Sequence, residues 1–360
     1  MRIALIGATG YGGTEAMRLL HGRTDVELAW LGSDRLSGTA VSTALPQFRG
    51  SRFSDLPFSP LSEMNELTGL DAVLLALPHG EARKLAPQLL AQGLRVIDFS
   101  GDFRLPEVVY QAWYGQKSDA IADRSVHDEV AAHAVYGLPE LYREQIATAR
   151  LVANPGCYAT CAELALLPLI EQDLVDGTRL LIDAKSGVSG AGKAPSQSTH
   201  FVEVQESMRA YKVGAHQHTP EIEQVLTDAR RRRRTVNRQE DVRVLLTTQL
   251  LPIKRGIYVT AYAPLTASLS AVELHARFVE RYLDEPFVQV LPLGQAPEIR
   301  HVVGTNKCQI GVHLDERTQT ALIMAVIDNL GKGAAGQALQ NLNRMFGCPE
   351  TLGLTELPWM

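Results

Sequence analysis

The chain has 360 residues, of which 45% are hydrophobic and 21% charged, and a formal net charge of −5. Such a length implies two domains rather than one, each large enough for its own core. The mild acidity excludes the basic face that nucleic-acid binding needs, four cysteines in so long a chain exclude a disulfide framework, and no run of about 18 apolar residues offers a membrane span.

Residues 2–6 read as a short buried strand, too short for a signal peptide, so the cytoplasm is the expected location. The strand runs into Gly7-Ala8-Thr9-Gly10-Tyr11-Gly12-Gly13 and then a helix over 14–20. Glycines at 7, 10 and 13 suit a tight turn whose backbone approaches a pyrophosphate, with the free N–H groups of the helix start turned to the phosphates. A glycine pattern alone is weak, but between a first strand and a first helix it points to a dinucleotide. A second strand over 26–31 ends near Ser33-Asp34-Arg35. An acidic residue there holds the ribose of NAD and an arginine favours the phosphate of NADP, so the local pattern is ambiguous. Ser33 and Arg35 can hold a phosphate together with Asp34 turned to solvent, and NADP is the preferred reading.

Strands over 71–77 and 95–99 flank a helix over 81–92, and the alternation predicts βαβ units and a parallel sheet. Pro78 and His79 close the 71–77 strand, where ligands gather in open sheets; His79 can equally cap the next helix. Arg104 follows the strand at 95–99 and can grip a phosphate or carboxylate, or pair with Asp102.

Asn154-Pro155-Gly156 then presents Cys157 at the start of a helix over 157–170. A helix N-terminus favours thiolate, so Cys157 is a candidate nucleophile; an inert buried thiol is the competing reading, and residue physics leaves both open. Cys161, one turn on, reads as core. Strands over 180–184, 242–250 and 258–264 and a helix over 271–283 predict an α+β middle, before a last helix over 333–346. The loop Ser186-Gly187-Val188-Ser189-Gly190-Ala191-Gly192-Lys193 is no P-loop, but its backbone can form an anion nest. His216-Gln217-His218 supplies a candidate base; read as a strand end, it turns both rings to one face, with Thr219 capping a helix that opens on Pro220. A metal site is not expected, because no third ligand follows by spacing. The Arg230–Arg234 run reads as a solvated helix end rather than an anion patch.

Taken together, these motifs resemble the N-acetyl-gamma-glutamyl-phosphate reductase family, the arginine-biosynthesis member of the semialdehyde dehydrogenase group. The likeness runs through GATGYGG at Gly7, IDFSGDFRL at Ile97, AVYGLPELYRE at Ala134 and ANPGCYAT at Ala153. It continues through SGVSGAGK at Ser186, HQHTPEI at His216, GTNKCQIGV at Gly304 and DNLGKGAAGQALQNLNRMFG at Asp328. The resemblance implies an α/β fold: a discontinuous Rossmann-type dinucleotide-binding domain over 1–156 and 328–360, and an α+β substrate and dimerisation domain over 157–327. It implies that Cys157 carries a thioester, with His216 or His218 as acid/base, and that Arg104 and Asn154 meet the substrate. NADP(H) is then expected on Gly7, Thr9, Gly10, Tyr11, Gly12, Gly13, Ser33, Arg35, Pro78, Ser186, Ser189, Gly190 and Asn329. The expected partners are a small acyl phosphate or semialdehyde and further copies of the chain, as a dimer or tetramer. Two departures stand out: Ala159 where proline is frequent, and Gly101 where alanine is usual. Rival readings are a related reductase acting on an aminoadipyl or aspartyl phosphate, a non-redox Cys/His acyltransferase, and a cofactor-binding regulator.

Overall fold

The computed structural model describes residues 1–115, 129–232 and 240–359. Its contacts divide the chain into two compact units, one of Met1–Pro155 with Ala334–Leu354 and one of Gly156–Gly333 with Thr355–Met360. The segment that returns to the first unit is thus shorter than the expected 328–360.

In the first unit, β1 (Arg2–Ile6), β2 (Glu27–Gly32), β3 (Phe58–Ser59), β4 (Ala72–Leu75), β5 (Arg95–Asp98), β6 (Val135–Tyr136) and β7 (Leu151–Ala153) form one sheet. Their order is β3-β2-β1-β4-β5-β7-β6, and every described pairing is parallel. Parallel sheets are covered on both faces, which is why β4 reads Ala-Val-Leu-Leu and is wholly buried. The longer helices among the described residues of this unit are α1 (Tyr11–His21), α2 (Ala82–Ala91), α3 (Glu107–Tyr114), α4 (Pro139–Thr148) and, after the chain returns, α8 (Gly336–Met345). Ala86 and Leu89 of α2 pack with Ile6, Val73, Leu75 and Val96. Helix α8 is buried although it carries Gln337, Gln340, Asn341 and Asn343. Their amide nitrogens are bonded: Gln337 and Asn341 both donate to Gly137 O, at 2.6 and 2.8 Å, while Gln337 Oε1 and Asn341 Oδ1 are buried without a hydrogen bond among the described residues. The bonded nitrogens offset part of the cost of burying these side chains.

The second unit is built on a mixed sheet of β8 (Leu180–Gly187), β9 (Arg209–Tyr211), β10 (Val244–Leu251), β11 (Ile257–Pro264), β12 (Val288–Val290), β13 (Cys308–Asp315) and β14 (Thr320–Ile327). Its order is β12-β13-β14-β11-β8-β10-β9. Helices α5 (Cys157–Glu171), α6 (His218–Arg232) and α7 (Ala271–Tyr282) pack on it. Helix α5 is apolar on almost every side and buried along its length after Cys157, as such a pattern requires. Leu181, Leu245 and Tyr262 are exposed, and the register sets Leu245 and Tyr262 on either side of Leu181. No helix among the described residues is long and apolar enough to cross a membrane.

The arginine run departs from its reading. Arg230 is buried, and a Cβ on Gly177 would lie 2.3 Å from its Nη2, so the guanidinium occupies the space that glycine leaves. It falls on the inward stripe of α6 with Ile222, Leu226 and Ala229. Arg231 and Arg232 pair at the surface with Asp241 and Asp228. Arg233 and Arg234 lie outside the described residues.

Candidate active site

In the first unit, the turn after β1 is held by steric necessity. Gly7 has φ +90°, and a Cβ there would fall 2.2 Å from Ala76 O. A Cβ on Gly13 would fall 2.3 Å from Gly7 O. Gly10 caps α1 without a side-chain hydrogen bond, and the first turn carries no acidic residue. The N–H groups of Tyr11, Gly12 and Gly13 thus open a helix with its partial positive charge uncompensated, which suits a pyrophosphate. Thr14 Oγ1 donates to Ala8 O at 3.0 Å and locks the turn that carries Thr9. At the end of β2, Asp34 Oδ1 accepts from Leu61 N at 2.7 Å. Its carboxylate is therefore engaged by the next segment of backbone, not simply turned to solvent. Ser33 is half-buried and Arg35 exposed beside it. These residues fit a dinucleotide.

The loops after β4 and β5 are joined by polar contacts that no sequence pattern announces. His79 is tied to the neighbouring loop: its Nδ1 accepts from Gly101 N at 2.8 Å. Asp102 accepts from Gly80 N at 2.7 Å and from the Tyr110 hydroxyl at 2.9 Å. Asp98 is fully buried and bonded to Ser100 N and Oγ; burial, and then Asp102, push its carboxyl up to about 7. Arg104 is buried, with Nε donating to Asn154 O and Nη2 to Phe99 O, both at 2.8 Å. It joins two loop carbonyls through the edge expected to grip an anion. The Asn154 amide is engaged too, donating to Ala334 O at 3.0 Å and accepting from Asn341 at 3.1 Å. Pro78 sits at the head of the same loop, its carbonyl taking the Glu81 N–H. Gly101 is explained by Tyr114, whose hydroxyl would lie 2.4 Å from a Cβ there.

In the second unit, Cys157 is the first residue of α5, capped by Gly156, and is half-buried. Glu221 is fully buried, and its Oε1 accepts the Gly156 N–H at 2.7 Å, which fixes the residue before the thiol. A Cβ on Gly156 would lie 2.3 Å from His218 Nε2, so glycine is what admits that imidazole beside Cys157. The histidines do not lie on a strand end. Helix α6 begins at His218, two residues earlier than a Thr219 cap would allow, because His216 O already accepts Thr219 N–H. The rings still converge, 4.7 Å apart.

Their environments differ. His216 Nδ1 accepts the His218 N–H at 3.2 Å, which places the His216 proton on Nε2. Burial, and then Lys212, pull His216 down to about 4. The Tyr158 ring stands edge-on to both histidines, and its hydroxyl accepts from Tyr211 at 2.9 Å. Burial pushes both phenols up, so both stay protonated. Cys161 is pushed up by burial, then by Cys308 and Cys157, and is the inert thiol of the pair.

A histidine held neutral in the fold affects stability in a definite direction. Its contribution is complete above the unfolded pKa near 6.5 and is lost as pH falls towards 4, by ~3 kcal/mol in all. The unfolding free energy of the His216→Asn variant is therefore expected to fall less steeply between pH 6.5 and 4 than that of the parent. Denaturant titrations across that window check it, and equal slopes would show that His216 ionises freely in the fold.

The loop after β8 meets the turn after β14. Asn329 Nδ2 donates to Ser189 Oγ at 2.9 Å, and its Oδ1 accepts Gly256 N–H at 2.8 Å. A Cβ on Gly190 would lie 2.9 Å from Ser186 Oγ. Ser186, Ser189, Gly190 and Asn329 are thus brought together. Among the described residues no group of three or more His, Cys, Asp or Glu side chains could hold a metal.

Comparison with known proteins accounts for both units. Residues 2–149 match the family described as "Semialdehyde dehydrogenase, NAD binding domain", and residues 157–329 match "Semialdehyde dehydrogenase, dimerisation domain". The N-acetyl-gamma-glutamyl-phosphate reductase of Brevibacillus brevis is 44% identical over 360 residues, covering 99% of each chain. That of Nitrosospira multiformis is also 44% identical, over 359 residues, with 99% of each covered. The aspartate semialdehyde dehydrogenase II of Vibrio cholerae, solved in complex with ASA, shares the fold at 18% identity and a TM-score of 0.70, covering 96% of this chain and 98% of that one. The Candida albicans aspartate semialdehyde dehydrogenase, solved with NADP, does so at 14% identity and a TM-score of 0.66, covering 96% and 98%. This chain belongs to the N-acetyl-gamma-glutamyl-phosphate reductase family of semialdehyde dehydrogenases.

Proposed function

We propose that the protein reduces N-acetyl-gamma-glutamyl phosphate to N-acetylglutamate 5-semialdehyde and phosphate, in the cytoplasm and in arginine biosynthesis, through a thioester on Cys157. The observation that carries this reading is Cys157 at the first position of α5 with the His218 imidazole against Gly156. The helix start favours thiolate, and the neighbouring ring can take up and return a proton.

The Cys157 sulfur attacks the acyl carbon, the S–C bond forms as the bond to phosphate breaks, and phosphate leaves. NADPH, when bound, supplies the hydride that reduces the thioester carbon. His218 protonates the developing alkoxide; collapse breaks the S–C bond, releases the aldehyde and restores the thiol. His218 takes this role rather than His216, because burial holds His216 neutral and its Nδ1 is already occupied. Tyr158 and Tyr211 hold the histidines in place.

The cofactor assignment follows the fit of the first unit. Gly7, Thr9, Gly10, Tyr11, Gly12 and Gly13 take the pyrophosphate, and Pro78 lines its loop. Ser33 and Arg35 take the 2′-phosphate, since Asp34 is engaged by Leu61. Ser186, Ser189, Gly190 and Asn329 meet the nicotinamide end, and Arg104 and Asn154 shape the loops that receive the substrate. The first unit serves as the dinucleotide-binding domain and the second as the catalytic and oligomerisation domain. The row Leu245, Leu181 and Tyr262 on the open sheet supports a homo-oligomer.

The test is the reverse reaction. N-acetylglutamate semialdehyde, phosphate and NADP are expected to generate NADPH absorbance, with NAD giving a much weaker signal. A phosphate-dependent signal only with aspartate or aminoadipate semialdehyde would overturn the substrate, and a preference for NAD would overturn the role of Arg35.

A further inference from the structure

Arg255 is buried in the second unit, in the connection between β10 and β11, and is opposed on two sides. Its Nε donates to Asp328 Oδ1 at 3.0 Å, and its Nη2 lies 2.9 Å from Asp328 Oδ2. Its Cζ lies 4.6 Å from the centre of the Trp359 ring. Trp359 is anchored independently. Its backbone N–H donates to Val303 O at 3.0 Å, and a Cβ on Gly304 would fall 2.5 Å from its Nε1, so the indole lies in space that glycine vacates.

Asp328, fully buried, organises the turn after β14. Besides Arg255 it accepts Gly304 N–H at 2.6 Å, Leu330 N–H at 2.9 Å and Gly331 N–H at 3.3 Å. That turn reaches the proposed chemistry at two points. Asn329 ties it to Ser189 and Gly256. Gly333, whose N–H donates to Asp328 O at 2.9 Å, lies so close to Cys157 that a Cβ there would be 2.8 Å from the cysteine Cβ.

From this arrangement we infer that Trp359 is a positioning residue for the reaction. Its indole covers the outer face of the Arg255–Asp328 pair and so sets the turn that orients Asn329 against the Ser189 loop and Gly333 against Cys157. An ion pair stripped of water on one face is stronger and better directed than a solvated one, and an aromatic face over a guanidinium adds attraction of its own. Small displacements at a reacting centre are costly, so a residue that never touches substrate can still control turnover. The inference rests on Cys157 and Asn329 having the roles proposed above.

The experiment compares Trp359→Ala, Trp359→Phe and the neighbouring Leu357→Ala, whose side chain is 78% exposed. Turnover, KM and the rate of Cys157 carboxamidomethylation by iodoacetamide, which needs no turnover, are measured for each. For Trp359→Ala, kcat is expected to fall about tenfold with KM changing less than about threefold. Cys157 alkylation is expected to rise about fivefold, as Gly333 loosens from the sulfur. Trp359→Phe recovers most of both, and Leu357→Ala alters neither. A Trp359→Ala enzyme with unchanged kcat and unchanged alkylation overturns the inference. So does one in which all four cysteines become reactive, because that is general loosening of the fold. If the parent does not reduce the acyl phosphate but Trp359→Ala still raises alkylation of Cys157 alone, the proposed function fails and the positioning stands.

Discussion

Cys157→Ser is expected to lower turnover of the acyl phosphate at least about a thousandfold while changing NADP affinity by no more than about twofold. A serine hydroxyl at the start of α5 keeps the cap and the volume, but it is scarcely ionised at neutral pH. The first turn of α5 is held by Glu221 on Gly156, so the substitution leaves that backbone where it was. Steady-state NADPH oxidation and calorimetric titration with NADP measure the two quantities. Undiminished turnover would rule out the thioester, and a parallel loss of NADP affinity would mean that the variant perturbs more than the nucleophile.

Gly7→Ala is expected to be the most damaging single change in the dinucleotide turn. Two costs combine there: a positive φ of +90° and a contact of 2.2 Å with a main-chain oxygen that cannot swing away. The backbone conformation alone costs a non-glycine residue about 1–2 kcal/mol. The clash adds to it, for a total of roughly 3 kcal/mol or more. Gly50 separates the two costs, since it has φ +72° and nothing lies within 4 Å of the place its Cβ would take. Gly50→Ala should therefore show the conformational cost alone, and only Gly7→Ala should also weaken NADP binding, by about tenfold or more. Denaturant unfolding and calorimetry on the two variants check this. Equal destabilisation would mean that the turn at Gly7 moves freely to accept the methyl group.

The parts of the site legible in the sequence are those set by local chain geometry. Gly7 to Gly13 announces itself because a strand, a tight turn and a helix start follow in immediate succession. Cys157 is legible as a helix start after Pro155 and Gly156, whereas its choice as nucleophile over an inert buried thiol comes only from the resemblance. The HxH motif is legible as a pair, but its placement is not. The rings converge from a turn and a helix start, and nothing in alternating residues distinguishes that from a strand end. Glu221 reads as a first-turn acid, and only the fold shows that it reaches across to Gly156, 65 positions away. Asp98 carries a usable signal, since a carboxylate closing a run of buried strand residues needs an explanation. So does Arg230, which stands four residues beyond Leu226 on the inward stripe of its helix. Arg255, Asp328 and Trp359 are separated by 73 and 31 positions along the chain, too far for any local pattern to join them.

Gly101 and Tyr114 share one volume: the ring at 114 fills the place where a methyl group at 101 would stand, while stacking 4.6 Å from Tyr110 and meeting His79 edge-on at 4.9 Å. Close-packed interiors do not admit both groups, so the two positions are coupled in inheritance. Gly101→Ala in this chain therefore requires the Tyr114 ring to move, and with it the ring contacts to Tyr110 and His79.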